Sequence, residues 1–262
     1  MDRFLTSGKR ARETIDLTDD SSAPSTSVST PSRPDQQNLS KAVASSMGRC
    51  QRLYLSGGVL DPQVLRTVDA IAQQSNCVGC DGRGLAEGIA KALPYGCTYK
   101  QRRRQPPANK FAIAVDRATP GTIAVRYPPG AQGHISVGQP AVVSMFAQWE
   151  MGAAGRYTRV ARPDGVPPDT PPNREAWFLS CLAALARVNP PLRSIAFPHE
   201  IGCGLAGGNW PRYEAMLKDF AAHNPGIDVS IVKWTGAQGN GGRGGGGSRS
   251  TSNCFKCGQP GH

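Results

Sequence analysis

The chain has 262 residues, with Lys+Arg 30 against Asp+Glu 19 and a formal net charge of +11. Gly 31 and Pro 22 make up roughly a fifth of it, against about 12% in average proteins, so folded material is diluted by other segments. No run of about 18 apolar residues occurs, which speaks against a membrane-spanning helix, and the N-terminal MDRFLTSGKRAR lacks the apolar core of a secretory signal. Eight cysteines are scattered along a chain too long for a disulfide-stapled miniature, so a reducing intracellular setting, nuclear or cytoplasmic, is expected.

Residues 1–49 hold seven basic and six acidic residues, and 21–46 are rich in Ser, Thr, Pro and Gln. Such a stretch cannot bury enough surface to offset its ordering entropy, so a disordered N-terminal tail is expected. Within it Lys9-Arg-Ala-Arg12 reads as a nuclear-localisation run or a solvated basic run. Ile15-Asp-Leu-Thr-Asp-Asp20 resembles a SUMO-interacting motif, whose apolar residues add a strand to a partner's sheet edge; chance is the competing explanation.

A packed domain is expected over 50–235. Apolar runs predict strands at Arg52–Ser56, Phe111–Asp116, Thr122–Tyr127, Ala141–Ala147, Ser194–Phe197 and Val229–Trp234. Helical spacing occurs in Trp177, Phe178, Cys181, Leu182 and Leu185, and again in Tyr213, Met216, Leu217 and Phe220 behind Pro211. The segment with Val64, Leu65, Val68, Ile71 and Ala72 fits a helix, yet Asp69–Asn76 fits a strand equally well. Alternating strands and helices indicate an α/β domain with helices on both sheet faces. Residues 236–253, GAQGNGGRGGGGSRSTSN, read as a flexible Gly/Ser linker carrying Arg243 and Arg249.

Two glycine-bearing turns carry the chemistry. One runs from Asn76 through Gly79, Gly82, Gly84 and Gly88 into a helix; the other runs from Phe197 to Trp210 with Gly202, Gly204, Gly207 and Gly208. Glycine lets successive backbone N–H groups converge on an anion, and a following helix N-terminus favours negative charge. A phosphate or diphosphate cradle at strand ends is therefore indicated over a merely geometric need for glycine. The pattern is not the dinucleotide fingerprint, because no G-x-G-x-x-G follows the first strand.

The segments SNCVGCDGRGLAEGIAKALPYG, VVSMFAQWE, NREAWFLSCL and SIAFPHEIGCGLAGGNW resemble, in order, those of the macro domain, the ADP-ribose-binding module. The likeness is nearest to the form related to ADP-ribose-1″-phosphate processing enzymes and covers roughly 53–234. It implies a three-layer α/β/α macro-domain sandwich with a mixed central sheet, and makes Asp69–Asn76 a strand. It further implies that Asn76 and the Gly82, Gly84, Gly88 turn contact the distal ribose. Ile201, Gly202, Cys203, Gly204, Leu205, Gly207 and Gly208 would cradle the diphosphate, and Ser144, Phe146 and Gln148 would line the pocket.

The chain also departs from that pattern. Many macro domains carry an Asp after the first strand that holds the adenine, whereas this chain reads Ser56-Gly57-Gly58. Relatives that remove ADP-ribose from carboxylates use a Lys and an Asp; the matching stretches here are Phe146-Ala147-Gln148 and Leu205-Ala206-Gly207. The fungal phosphatase type has a His shortly before the Asn-containing loop, a neighbourhood in which this chain has Gln73. The remaining candidates for acid/base chemistry are His199 and Asp81, each also explicable as an ordinary loop residue. Cys77-x-x-Cys80 with Cys203 and His199 has the residue types of a zinc site, with small buried cysteines under glycine turns as the simpler reading.

At the end of the chain, Cys254-Phe-Lys-Cys257-Gly-Gln-Pro-Gly-His262 resembles the retroviral-type CCHC zinc knuckle through its third ligand. The resemblance implies zinc as cofactor on Cys254, Cys257 and His262, with Phe255 stacking a base and Lys256 meeting a phosphate of single-stranded nucleic acid. The sequence stops before a fourth ligand, which reads as a truncated motif. Lys100, Arg102, Arg103 and Arg104 form the densest basic cluster and suggest either a phosphate-contacting patch or a solvated loop. Binding of ADP-ribose or a derivative with nucleic-acid tethering is the function these features indicate. The alternatives are a hydrolase acting on ADP-ribose-1″-phosphate or ADP-ribosylated macromolecules, and a knuckle protein with a degenerate macro domain.

Overall fold

The computed structural model describes residues 48–107, 110–131 and 138–236. The Lys9–Arg12 and Ile15–Asp20 motifs, most of the linker and the Cys254–His262 motif with Phe255 and Lys256 lie outside the described residues. The described chain runs β1 (Cys50–Leu55), α1 (Pro62–Thr67), β2 (Ala70–Asn76), α2 (Leu85–Ala92), β3 (Ile123–Arg126), β4 (Ala141–Gln148), α3 (Pro171–Leu185), β5 (Ser194–Pro198), α4 (Trp210–His223) and β6 (Asp228–Trp234).

Three of these helices start for reasons written in the sequence. The side chains of Asp61, Thr170 and Asn209 accept from Gln63, Asn173 and Arg212 N–H, each ahead of a proline in the first turn. The oxygen satisfies one of the donors a helix start leaves over, and proline there forfeits no bond.

The strands form one sheet in the order β1-β6-β5-β2-β4-β3. All neighbours are parallel except β3, which runs antiparallel to β4. Strand β4 is buried along its whole length, as a central strand covered on both faces must be. Alternate residues serve opposite layers. Ala72, Val143, Ile195 and Ile231 pack with Trp177, Phe178 and Leu182 of α3 and Tyr213 and Leu217 of α4. Ile71, Val142, Ala196 and Val232 pack with Val64 of α1 and Ile89 of α2. The result is a three-layer α/β/α sandwich with a mixed central sheet. Side chains such as Phe178 and Ile71 are fully buried, each stabilising the fold by about 1.5–3 kcal/mol relative to exposure.

The ambiguous 64–76 segment divides into α1 and β2. Val64, Val68 and Ile71 look helical in spacing because all three enter the same apolar layer from two consecutive elements. The strand expected at Phe111–Asp116 does not form. Phe111 and Ala112 make only isolated bridges, to Gly79 and Arg104, and Ala114–Asp116 is a 3-10 turn. The apolar run misleads because Val115 is 79% exposed and Ala112 alone is buried, so there is no face for a strand to cover.

In the β1–β6 register Cys50 lies opposite Val229 and Leu55 opposite Trp234. The described chain therefore enters at one end of the sheet and leaves at the other. The end it leaves by holds the C-terminal ends of β2, β4 and β5, where α/β sheets expose their ligand crevices.

Candidate functional site: a cleft at the strand ends

A cleft of about 480 Å³ opens over those ends, floored by Gln73, Gln74, Asn76 and Gln148. Its walls are the start of α2, the 198–206 loop and the segment from Met151 to Arg159. The register of β2 on β4 shifts between Gln74 and Asn76, setting Asn76 opposite Gln148. Such an irregularity re-aims side chains at a strand end. Asn76 Oδ1 accepts from Gly79 N–H at 2.6 Å, and its Nδ2 donates to the Tyr99 hydroxyl at 3.2 Å. One of the two N–H bonds of that amide is left over. Gln148 Nε2 donates to the Glu150 carbonyl at 3.1 Å, and Gln148 Oε1 accepts from Gln74 Nε2 at 2.9 Å. A carbonyl can only accept, so the direction of this amide chain is set, and Gln74 Oε1 ends it buried and without a partner among the described residues.

Unlike the other helices, α2 has no side-chain cap. Its N-cap is Gly84, at φ 60 and ψ −124, a conformation open only to glycine. Glu87 and Gly88 N–H bond back to the Gly84 carbonyl, while the Leu85 and Ala86 N–H groups have no acceptor among the described residues. Both residues line the cleft. Across it, the 198–208 loop is braced by Ile201 N–H to Pro198 O, Cys203 N–H to Glu200 O, Gly207 N–H to Gly204 O and Gly208 N–H to Gly202 O. Glu200 at φ 61 and Gly202 at φ 72 turn the chain so that this bracing leaves Gly202, Gly204, Leu205 and Ala206 N–H without acceptors among the described residues. All four residues line the cleft. Two sets of uncommitted amides, one reinforced by a helix dipole, thus border a single cavity. That arrangement favours an anion with several acceptor oxygens.

Arg174 of α3 holds the walls together. Its guanidinium is 3% exposed and chelates Asp169 at 2.5 and 2.7 Å. It also donates to the carbonyls of Gly152 at 2.7 Å, Ala206 at 3.1 Å and Glu150 at 3.3 Å. One buried cation therefore ties the 150–152 segment and the 198–208 loop to the helix behind them. Charge-assisted bonds of this kind are stronger than neutral ones and rigid in geometry.

His199 lines the cleft, its ring tilted against Trp210 at 4.7 Å and its Nδ1 3.9 Å from Glu200. Burial pushes its imidazole below the ordinary value, with Glu200 opposing. Asp81 also lines the cleft but is chelated by Arg104 at 2.7 and 3.0 Å, and that pairing holds its carboxyl below the usual range. Neither oxygen of Asp61, the carboxylate nearest Ser56-Gly57-Gly58 in sequence, is idle: one caps α1 and the other accepts from Gly57 N–H.

The basic cluster does not form one surface. Lys100 is exposed, but Arg102 is buried beneath Tyr99 and Phe146, at 5.2 and 5.4 Å from their ring centres, and donates to the Asn76 and Gly79 carbonyls. Arg103 is locked on Asp116 and Arg104 on Asp81. Arg102 instead shapes the Asn76–Gly79 turn.

Of the ribose, diphosphate and pocket residues expected from sequence, Asn76, Gly84, Gln148, Ile201, Gly202, Gly204 and Leu205 border the cleft. The others stand behind it. Gly82 packs against Ala86 and Tyr99, and Gly88 faces Leu60 from within α2. Ser144 is buried in β4, its hydroxyl accepting from Gln73 Nε2 at 3.2 Å. Phe146 is buried under Arg102, and Gly207 and Gly208 brace the loop from within. The Cys203 thiol donates to the Ile201 carbonyl at 3.3 Å and is pushed up to about 12 by burial. Cys77 and Cys80 are buried free thiols, and no group of three or more His, Cys, Asp or Glu among the described residues is placed to hold a metal ion. Sequence reading missed Gln74, Tyr99, Arg156, Tyr157, Arg159 and Arg174. The alternation of Arg and Tyr in Arg156-Tyr157-Thr158-Arg159 was the available signal for three of them.

No family model and no curated protein matches the chain. Among solved structures it is similar to the macrodomain of Thermus aquaticus DarG, at 19% identity over 70% of this chain and 97% of that one, with a TM-score of 0.44. It is also similar to the macrodomain of Mycobacterium tuberculosis DarG, at 21% identity over 69% and 96%, with a TM-score of 0.45. A protein of unknown function from Bacteroides thetaiotaomicron is 21% identical over 70% and 98%, with a TM-score of 0.44.

Proposed function

We propose that the chain binds ADP-ribose or a derivative in this cleft, with the diphosphate between the 198–206 loop and the α2 start. The observation that carries the reading is the pairing of uncapped Leu85 and Ala86 amides with the uncommitted amides of Gly202, Gly204, Leu205 and Ala206. A diphosphate presents enough acceptor oxygens to meet both sets, and backbone donors need no ordering on binding. The spare N–H of Asn76 suits a ribose hydroxyl beside them. Calorimetric titration of the full chain with ADP-ribose tests the reading. Heat with a micromolar dissociation constant, weakened at least tenfold in Asn76→Ala, is the expected result, and no heat at millimolar ligand rejects it.

One observation favours a second reading, hydrolysis of ADP-ribose-1″-phosphate or of ADP-ribose linkages. His199 borders the same cavity, and its burial favours the neutral form that a general base requires. Turnover of either substrate that disappears in His199→Ala while binding persists would establish it. Nucleic-acid tethering belongs to the proposal too, through the zinc-knuckle motif Cys254, Cys257 and His262 with Phe255 and Lys256. Zinc uptake by the full chain with release of thiol protons tests the metal site, and fluorescence anisotropy with a single-stranded oligonucleotide tests the tethering.

A further inference from the structure

The side chain of Asn76 has its orientation dictated by chemistry rather than by shape. Gly79 N–H can only donate, so the Asn76 atom 2.6 Å from it must be the amide oxygen. The nitrogen then falls on the other side, where Nδ2 donates to the Tyr99 hydroxyl at 3.2 Å. The same hydroxyl accepts from Asn76 backbone N–H at 3.1 Å. A flipped amide would set nitrogen against N–H at Gly79 and forfeit both side-chain bonds.

The backbone beneath this amide is fixed as well. Arg102 Nη1 donates to the Asn76 carbonyl at 3.1 Å and to the Gly79 carbonyl at 2.7 Å, closing the turn from below. Arg102 N–H bonds back to the Tyr99 carbonyl at 3.2 Å, and the Arg102 guanidinium lies 5.2 Å from the centre of the Tyr99 ring. Tyr99 is buried, and with two N–H groups on its oxygen that atom has no acceptor capacity left for a ligand.

We infer that Tyr99 is a positioning residue: it acts on a ligand through Asn76, holding the amide in the one roll that leaves a single N–H uncommitted. The identity of that ligand rests on the ADP-ribose reading. The consequence is selective, because at this point Asn76 offers the cleft a donor and keeps its oxygen on Gly79. An acceptor such as a ribose hydroxyl oxygen is rewarded there, and a group that only donates is not.

Two measurements on the full chain test this, calorimetric titration with ADP-ribose and heteronuclear NMR of the Asn76 side-chain amide without ligand, assigned by its loss in Asn76→Ala. Tyr99→Phe should weaken ADP-ribose binding about fivefold, the worth of one ordinary hydrogen bond, and should shift the Asn76 amide signals. Gly79→Ala disturbs the same amide from the other side. The three atoms nearest an added Cβ there are Asn76 Oδ1, Nδ2 and Cγ, at 2.8, 3.3 and 3.4 Å. It should move the same signals and weaken binding too, which keeps the test decisive if Tyr99→Phe does not fold. In an Asn76→Ala background Tyr99→Phe should alter affinity by less than about twofold, since nothing remains to be positioned. Additive losses in that double variant overturn the inference in favour of a direct Tyr99 contact. A parent chain that gives no heat at millimolar ADP-ribose rejects the ligand reading alone. The ligand-free amide signals then decide the positioning role, and signals unmoved by Tyr99→Phe overturn it.

Discussion

Replacing Gly202 with alanine probes the cradle at its tightest point. Gly202 sits at φ 72, where an L-residue costs about 1–2 kcal/mol more than glycine, partly offset by about 0.4–1 kcal/mol from the stiffer unfolded chain. A methyl group there would overlap Gln74 Oε1 and lie 2.8 Å from Tyr213 Cε1. The glutamine cannot swing aside freely, because its Nε2 is the start of the Gln74–Gln148–Glu150 chain, and the ring belongs to a side chain 1% exposed. Losing that hydrogen bond costs about 1 kcal/mol, and crowding the ring adds about 1–3 kcal/mol. The expected destabilisation is about 3 kcal/mol, which for a domain of this size lowers the melting temperature by about 6–12 °C. Gly204 is the matched control: it has ordinary φ and nothing within 4 Å of an added Cβ. Gly204→Ala should melt within about 2 °C of the parent and keep its N–H on the cleft. Differential scanning calorimetry of both variants decides the matter. Equal melting temperatures for the two would refute the close-packed account of the loop.

Arg174→Met should cost about 3–5 kcal/mol, because Asp169 is left buried without its counter-ion. In the same variant, hydrogen exchange of the Gly207 and Gly208 amides, which brace the loop, should accelerate, since the bond to the Ala206 carbonyl is gone. Asp116 supplies a pH signature. Arg103, through its side chain and then its backbone N–H, holds the Asp116 carboxyl at about 2, below the 3.8 of a free aspartate. Its folded form therefore binds protons less readily than the unfolded chain, so this stabilisation is full above 3.8 and fades as the pH falls towards 2. Melting curves of Asp116→Asn and the parent should differ at neutral pH and converge as the pH falls to about 2; a gap that widens on acidification contradicts the pairing.

Local chemistry made much of this legible. Pro62, Pro171 and Pro211 beside Asp61, Thr170 and Asn209 mark helix starts without any tertiary knowledge, and the run AVVSMFAQ announces a strand covered on both faces. The glycines at 202 and 204 likewise signal a backbone meant to approach something closely. What could not be read depends on partners distant in the chain. Arg102 and Arg103 look alike in sequence, yet one is buried under Phe146 and the other lies open on Asp116. Nothing local separates Arg174, amid the apolar α3 positions, from a surface cation; its burial follows from Asp169 and three carbonyls of two other segments. Phe111–Asp116 failed for the complementary reason, since its apolar residues had no sheet position left to fill.

The parallel placement of β1 beside β6 gives the domain a polarity. Gly48 and Arg49 join the sheet at the end remote from the cleft, and Thr235 and Gly236 leave at the same end as the cleft. A seven-residue strand separates those ends by about 20 Å. A probe attached at Thr235 therefore reports on the cleft's own end of the sheet, while one attached at Arg49 reports on the opposite end.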